Sequence, residues 1–378
     1  MVIGLDVTAA VTQGGGIGRY VRELLRSLAA HPTTNTYRLF FAARQPAHPL
    51  PALPANFHTH PLPFHDIWLA RLWHRLRLPI PVQAITGPLT LFHSPDFTLP
   101  PVAGRIPTVL TVHDLSFVRD PTSAAPGLRA YLNTVVPRSV ARATHILADS
   151  QTTRADLIEL YHTPPDKVSV LYPGVEPRFT PVNHALTLTA VRQRYGLGNA
   201  PFILAVSTLQ PRKNFVRLIQ AFDQALRHTS VNLVIAGGKG WLYDDIFTEV
   251  AQRDLSERVL FPGFVADTDL PALYSAASVL AYPSLYEGFG LPLLEAMACG
   301  TPVLTSTASC LPEVAGEAAL QVDPYDIEAI AHGLHSLLHD TALREQLRQR
   351  GLTRAAEFTW PAAAQQLTDL YHQLAPGP

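Results

Sequence analysis

The chain has 378 residues, a length that fits two domains, each large enough for its own hydrophobic core. Hydrophobic residues make up 47% of it and charged residues 16%, a globular composition that excludes an intrinsically disordered chain. Its 29 basic residues are balanced by 30 acidic ones, so the chain lacks the excess of basic residues that is typical of nucleic-acid-binding proteins. Two cysteines are too few for a disulfide framework or a four-cysteine zinc site.

Short apolar runs alternate along the chain with longer segments of helical spacing, two of which are 19–30 and 216–226. This alternation predicts an α/β fold of parallel sheets covered by helices on both faces. The predicted strands are 2–7, 37–42, 89–93, 108–112, 145–148 and 168–171 in the first half, and 202–206, 233–236, 259–261, 279–281 and 302–305 in the second. We therefore expect two doubly wound units, a boundary between Pro173 and Pro201, and a ligand site in the cleft between the units.

A glycine-rich loop, Gly14-Gly-Gly-Ile-Gly18, joins the first predicted strand to the first helix. Glycines at such a place let the backbone approach a ligand, and the helix N-terminus offers N–H groups to an anion. The spacing is not that of a G-x-G-x-x-G motif, and no P-loop lysine follows. We predict that this loop contacts a phosphate or a sugar, with a plain tight turn as the alternative.

Two adjacent cations, Arg212 and Lys213, follow the predicted strand 202–206 and precede a helix that begins near Asn214. Cations beside a helix N-terminus suit a diphosphate group, and the carboxyl end of a strand is where ligands of α/β sheets bind. The alternative is a solvated basic pair.

The segment from Glu287 to Gly300 reads EGFGLPLLEAMACG. Its glycines place Glu287 on a loop, and Pro292 fits the first turn of a helix that Gly300 ends, so Glu295 lies early in that helix and can hydrogen-bond to a polyol such as ribose. The backbone N–H groups of 289–291 are expected to point at an anion or a sugar hydroxyl. A glycosidase pair fits poorly, because eight helical residues separate the two Cα atoms by about 12 Å. Two solvated acids remain the other alternative.

Three further features carry weaker signals. His113 ends an apolar strand and faces the expected cleft, although a satisfied core imidazole is an equally simple interpretation. Asp267-Thr-Asp269 has the D-x-D form that holds a metal ion in some sugar transferases. Because it precedes a predicted helix at 270–277, we interpret it as a helix N-cap and expect no metal site.

Residues 64–78 form a basic amphipathic stretch with two of the four tryptophans. The stretch could rest on an anionic membrane surface or receive a lipid-linked acceptor, and an ordinary core helix with a solvated basic face is the alternative. The N-terminal residues do not show the pattern of a signal peptide, and no apolar run of about 18 residues occurs, so we expect neither a signal peptide nor a transmembrane helix. We therefore expect a cytoplasmic protein, with peripheral contact at the inner face of the membrane through this stretch.

Taken in order, these motifs resemble the retaining glycosyltransferases of family 4, which have the GT-B fold. The resemblance spans nearly the whole chain. The matching motifs are the glycine loop with Gly18-Arg-Tyr20, His113-Asp114, Ala148-Asp-Ser150, Tyr172-Pro-Gly-Val175, Arg212-Lys-Asn214, Ala236-Gly-Gly238, Glu287 with Glu295, and Pro302-Val303.

The resemblance implies transfer of a sugar from a nucleotide diphosphate with retention at the anomeric carbon and without a metal. It implies that Arg212 and Lys213 hold the diphosphate and that Glu287 contacts the transferred sugar, while Glu295 binds the ribose hydroxyls. Further implied contacts are those of His113 with the donor sugar, of Gly15 and Gly16 with phosphates or acceptor, and of the backbone of Phe289, Gly290 and Leu291 with the donor sugar.

The same resemblance implies an acceptor-side domain at 1–178, a nucleotide-sugar domain at 179–360 and a final helix at 361–378 that crosses back to the first domain. The subfamily most like this chain is the mannosyltransferases of surface-polysaccharide assembly, which use GDP-mannose and a glycan or lipid-linked acceptor. A UDP-hexose transferase, an epimerase of UDP-N-acetylhexosamine with the same fold, and a non-catalytic nucleotide-sugar binder remain alternatives.

Overall fold

The computed structural model describes residues 1–120, 122 and 124–375, which form two compact units. The first unit contains residues 1–115, 126–174 and 359–375, and the second contains the described part of 116–125 together with 175–358. The predicted domain limits at residues 178 and 360 stay predictions. None of the helices in the described part of the chain combines the length and the apolar character needed to cross a membrane.

The first unit is built on a sheet of seven parallel strands in the order β3-β2-β1-β4-β5-β6-β7. The strands are β1 (Val2–Asp6), β2 (Thr36–Ala42), β3 (Phe57–Leu62), β4 (Leu91–Ser94), β5 (Thr108–Val112), β6 (His145–Ala148) and β7 (Val168–Val170). The helices are α1 (Thr8–Thr12), α2 (Gly16–Ala30), α3 (Asp66–Leu69), α4 (Gln83–Thr86), α6 (Pro126–Arg142), α7 (Gln151–Tyr161) and α16 (Trp360–Leu374), with a π-helix at Ala70–Arg75 and a 3-10 turn at Pro165–Lys167.

The second unit is built on six parallel strands in the order β10-β9-β8-β11-β12-β13. The strands are β8 (Phe202–Val206), β9 (Asn232–Ala236), β10 (Val259–Gly263), β11 (Val279–Tyr282), β12 (Val303–Ser306) and β13 (Leu320–Val322). The helices are α5 (Ser116–Arg119), α8 (Ala185–Arg194), α9 (Phe215–Leu226), α10 (Asp244–Gln252), α11 (Leu270–Ala276), α12 (Leu291–Ala298), α13 (Leu311–Ala315), α14 (Ile327–His339) and α15 (Thr341–Ala355), and a 3-10 turn covers Pro211–Lys213.

Each sheet has its own hydrophobic core. Central strands such as β5, β6 and β11 are buried along their whole length, as continuous apolar runs in a parallel sheet require. In the first unit α2 packs on α16, where the ring of Tyr20 meets that of Trp360 edge-on at 5.4 Å between centroids. In the second unit α9 packs on α14. The predicted α/β class, with two doubly wound parallel sheets, is confirmed.

Every predicted strand lies within two residues of its expected limits, and the sequence missed two strands at the sheet edges. Two edge strands, β3 and β13, were not predicted, and the predicted strand 89–93 is wrong by two residues because β4 begins at Leu91. The sequence of β3, FHTHPL, has exposed polar positions and a proline, which an edge strand tolerates and a buried strand does not. β13 has three residues, too few for a periodic signal.

Candidate functional site

The candidate site lies at the carboxyl edge of the sheet in the second unit. The strand order reverses between β8 and β11, so the connections that leave these two strands diverge and open a crevice, which is where α/β sheets bind ligands. The segment 207–214 follows β8, and the loop 283–290 follows β11. The motifs predicted to bind the donor therefore flank one switch point.

Three predicted residues meet in one buried ion cluster at this point. The carboxylate of Glu287 accepts from Arg212 Nη1 at 2.7 Å through Oε2 and from Lys213 Nζ at 2.6 Å through Oε1. The side chains of Lys213 and Glu287 are 7% and 6% exposed. Burial alone would raise the pKa of Glu287, but the charges of Lys213 and Arg212 lower it to about 2. Glu287 is therefore ionised at neutral pH, and the cluster carries two positive charges and one negative charge.

The backbone around the cluster holds both cations in place. Arg212 and Lys213 form a single 3-10 turn that ends at Asn214, whose φ is +63°. The Asn214 side-chain amide donates to the carbonyls of Pro283 at 2.9 Å and Pro324 at 2.7 Å. Asn214 thus connects the start of α9 to the loops that follow β11 and β13. These two hydrogen bonds hold the turn that carries both cations against the edge of the crevice.

A second loop holds the backbone of Glu287. Ser309 Oγ accepts from the N–H of Glu287 at 3.2 Å and donates to its carbonyl at 2.6 Å. The thiol of Cys310 lies 3.1 Å from the same carbonyl and 3.3 Å from the carbonyl of Phe289. Burial raises the pKa of this thiol well above its usual value, so it stays protonated and can donate. Sequence reasoning missed Ser309 and Cys310; the only available signal was their place after β12, the strand next to β11.

The rest of the motif forms the loop and helix that follow Glu287. Gly290 has a φ of +96° and precedes α12, which begins at Leu291, and Phe289 is buried. Glu295 lies in the second turn of α12, is 2% exposed, and accepts from the hydroxyl of Tyr274 at 2.8 Å. The predicted loop position of Glu287 and the predicted helix are confirmed, and the ribose-binding role of Glu295 stays a prediction.

His113 belongs to the first unit, where it follows β5. Its Nδ1 lies 2.7 Å from Asp149 Oδ2 and its Nε2 lies 3.1 Å from the carbonyl of Pro95, so both ring nitrogens have protein partners. Burial alone would lower the pKa of His113, but the Asp149 carboxylate raises it to about 9. The protonated ring can donate to both acceptors at once. The predicted contact of His113 with the donor sugar stays a prediction.

The glycine loop is also in the first unit, and its glycines divide into two kinds. A Cβ on Gly18 would lie 1.9 Å from the carbonyl oxygen of Gln13, so Gly18 is required for the close packing of α1 and α2. A Cβ on Gly15 or on Gly16 would meet no atom within 4 Å. These two glycines therefore border open space at the N-terminus of α2, as a contact with a ligand requires.

The D-x-D segment has a role different from the one predicted. Asp269 does occupy the N-cap position of α11, but its side chain makes no cap hydrogen bond. Instead its carboxylate accepts from Arg194 Nη1 and from the hydroxyl of Tyr195, both at 2.7 Å. Across residues 1–120, 122 and 124–375, no group of three His, Cys, Asp or Glu side chains is arranged to hold a metal ion.

Comparisons with known proteins match both units. The sequence model of a family described as Glycosyltransferase Family 4 matches residues 14–179, and that of Glycosyl transferases group 1 matches 189–354. The O-antigen chain mannosyltransferase B of Escherichia coli is 33% identical over 375 residues, 95% of this chain and 96% of that protein. The serotype-specific mannosyltransferase WbdA of E. coli is 30% identical over 292 residues, which cover 72% of this chain but 34% of that longer protein.

Among solved structures, the sucrose-phosphate synthase of Thermosynechococcus elongatus superposes with a TM-score of 0.77 over 99% of both chains, at 24% identity. At that identity the likeness concerns the fold alone.

Proposed function

Because the chain belongs to the group 1 glycosyltransferases of family 4 and has their GT-B fold, we propose that it transfers mannose from GDP-mannose with retention at the anomeric carbon. The acceptor in this proposal is a glycan or a lipid-linked saccharide, met at the cytoplasmic face of the inner membrane. The choice of mannose is supported by the identity to mannosyltransferase B over 95% of the chain.

One observation carries the proposed diphosphate site: Arg212 and Lys213 share the carboxylate of Glu287 at the switch point of the second sheet. The three charges sum to one positive charge, which favours an anionic ligand. Since the carboxylate fixes both cations before any ligand arrives, they need little rearrangement when negative charge grows on a leaving diphosphate. Fixed charges of this kind stabilise a transition state more than a mobile pair would.

The proposed chemistry uses the leaving group as the base. The bond between the anomeric carbon and the β-phosphate oxygen breaks, the acceptor hydroxyl attacks the same face of the sugar, and its proton passes to the departing phosphate oxygen. Arg212 and Lys213 stabilise the charge on that phosphate, and Glu287 contacts the sugar. No added cofactor or metal ion takes part in this proposal, so transfer should proceed at the same rate in a chelator.

The donor can be identified by a thermal-shift screen of GDP-, UDP- and ADP-sugars. A ligand that binds the native state alone stabilises it by about 2.7 kcal/mol at a hundred times its Kd. We expect GDP-mannose to raise the melting temperature of the wild type and to have a much smaller effect on Lys213→Ala. Lys167→Ala, which removes a lysine in the first unit, is the matched control. A rise in melting temperature with UDP-sugars alone would indicate that the donor is a UDP-hexose and not GDP-mannose.

Transfer is then tested with the donor and a mannose-terminated glycolipid, and the anomeric configuration of the product is read by NMR. Lys213→Ala should lower transfer by orders of magnitude while the circular dichroism spectrum is unchanged; near-normal activity would remove the diphosphate assignment. An epimerase would release free sugar from donor alone, and a non-catalytic binder would give a calorimetric signal without turnover. An inverted linkage would contradict retention.

The ribose role of Glu295 has its own test. Glu295→Ala should weaken donor binding more than it lowers the rate at saturating donor. Tyr274→Phe removes the hydroxyl that donates to Glu295 and keeps the ring, so it should cause a smaller loss of the same kind. An unchanged donor affinity in Glu295→Ala would contradict the assignment.

A further inference from the structure

Residues 64–80 of the first unit form an irregular arm made of α3, the π-helix and an extended end. Two buried side chains, Leu69 and Trp73, anchor it, and the ring of Trp73 meets that of Phe40 in β2 edge-on at 6.0 Å between centroids. The indole N–H of Trp73 donates to the carbonyl of Ile80 at 2.9 Å, which closes the arm on itself. The predicted amphipathic stretch is therefore a short π-helical arm with a defined conformation rather than a regular core helix.

The arm exposes an unusual amount of apolar surface. Half of the ten large apolar side chains that are exposed in the described part of the chain belong to it, with exposed fractions from 37% to 63%. A soluble monomer scatters such residues singly, whereas a cluster marks a surface that something else covers. The five residues are Ile67, Trp68, Leu76, Leu78 and Ile80.

The charges beside this apolar surface are nearly all positive. Arg71, Arg75 and Arg77 are exposed on the arm, and the guanidinium of Arg71 lies 4.9 Å from the ring centroid of Trp68. The one acidic residue of the arm, Asp66, contacts the ring of His65. A chain with a net charge of −1 thus concentrates positive charge where its apolar side chains are exposed.

The neighbouring helix α6 extends the positive charge. The ring of His74 on the arm meets that of Tyr131 on α6 edge-on at 6.5 Å between centroids. Helix α6 has arginines at 129, 138 and 142 and no acidic residue, and it exposes Leu128. Burial and the charge of Arg142 lower the pKa of His74 to about 4, so this ring adds no positive charge at neutral pH.

We propose that the arm of residues 64–80 docks the protein on the surface of an anionic phospholipid bilayer. The arginines contact lipid phosphates, while Trp68 and the exposed aliphatic side chains enter the boundary between headgroups and acyl chains. A bilayer fits better than a protein partner because the arm combines tryptophan and arginine with almost no acidic side chain. The inference does not depend on the proposed transferase activity, and the two can fail separately.

The test measures sedimentation of the full chain with vesicles of phosphatidylcholine alone or mixed with phosphatidylglycerol, at neutral pH and at low and high salt. We expect binding to the anionic vesicles only, lost at high salt as screening shortens the range of the charges. Equal binding to both kinds of vesicle, or binding to neither, would overturn the proposal, and the second result would direct attention to a protein partner.

Two variants separate the charged and apolar contributions. Removing three arginines together (R71Q, R75Q and R77Q) should weaken binding to anionic vesicles about tenfold or more. Trp68→Ser with Leu76→Ser should weaken it as well and leave the salt dependence unchanged. The control for the arginine variant removes three exposed arginines elsewhere (R26Q, R44Q and R350Q together). The control for the apolar variant removes two exposed apolar side chains of the second unit (Leu242→Ser with Phe264→Ser). An equal loss in a control would overturn the assignment to the arm, and melting temperatures show that each variant is folded.

Discussion

Replacing Glu287 by glutamine removes the negative charge from the ion cluster and keeps the shape of the side chain. The carboxyl has a pKa of about 2 in the folded chain against an ordinary value of 4.5. A difference of roughly two and a half pKa units corresponds to about 3 kcal/mol. This contribution is complete above pH 4.5 and is lost as the pH falls toward 2, so at neutral pH Glu287→Gln should lower the free energy of unfolding of the second unit by the full amount.

Removing one partner from a buried ion pair is known to cost about 3–5 kcal/mol, which agrees with this figure. The corresponding fall in melting temperature is about 6–12 °C for a unit of this size. Urea denaturation followed by circular dichroism, with hydrogen exchange of the β8 amides to report on the second unit, measures the loss. Glu345→Gln, which breaks an exposed pair with Arg348, is the control and should leave stability unchanged.

A ligand makes the same variant more informative. With the carboxylate gone, Arg212 and Lys213 are no longer neutralised in part, so inorganic diphosphate should stabilise Glu287→Gln more than the wild type. The double variant that also carries Lys213→Ala should lose that extra stabilisation. A loss of unfolding free energy below about 1 kcal/mol, or an equal response of both proteins to diphosphate, would refute the reasoning from the cluster.

Three other predictions concern separate parts of the chain. Because the pKa of His113 is raised to about 9, the unfolding free energy should fall by up to about 3 kcal/mol between pH 6.5 and 9. His113→Gln should make the unfolding free energy less dependent on pH in this range. The same pH dependence in the variant and the wild type would contradict the prediction. Gly18→Ala should destabilise the first unit by more than about 2 kcal/mol, whereas Gly16→Ala should keep the melting temperature and lower transfer; equal melting temperatures would refute the distinction. Ser309→Ala and Ser309→Gly both remove the hydroxyl that bonds the backbone of Glu287, and both should lower kcat more than they change KM. Wild-type kcat in the glycine variant alone would show that strain at the φ of +57°, and not loss of the hydroxyl, lowers kcat in the alanine variant.

The sequence predicted every interior strand of both sheets and two of the four edge strands. Buried strands such as β5 and β8 have continuous apolar runs, because both of their faces are covered, and their limits were predicted to the residue. The edge strand β3 pairs with one neighbour only, so its sequence is free to alternate and to include Pro61. An apolar pattern cannot reveal a strand such as β3, whose exposed positions are mostly polar.

The site was predictable in its residue types and not in its contacts. The position of Arg212 and Lys213 after a strand indicated an anion site, and the glycines around Glu287 indicated a loop. That these side chains pair follows from the order of the strands, which brings together segments 74 residues apart. The contacts of Ser309 with the backbone of Glu287 depend on the left-handed φ of Ser309 and on the position of a neighbouring loop. Neither feature can be recognised from the spacing of residues in the sequence.

The segment 175–358, which makes up most of the second unit, begins and ends at one place: the N–H of Val175 donates to the carbonyl of Phe358 at 2.9 Å. The two ends of this segment, where it joins the rest of the chain, are thus hydrogen-bonded to each other. A gene segment that encodes residues 175–358 is a single cassette, so exchange between related chains requires compatibility at one junction rather than at two distant ones. Chimeras cut at these residues would carry the whole Arg212–Lys213–Glu287 cluster with them and would leave α16 and the arm of residues 64–80 in place.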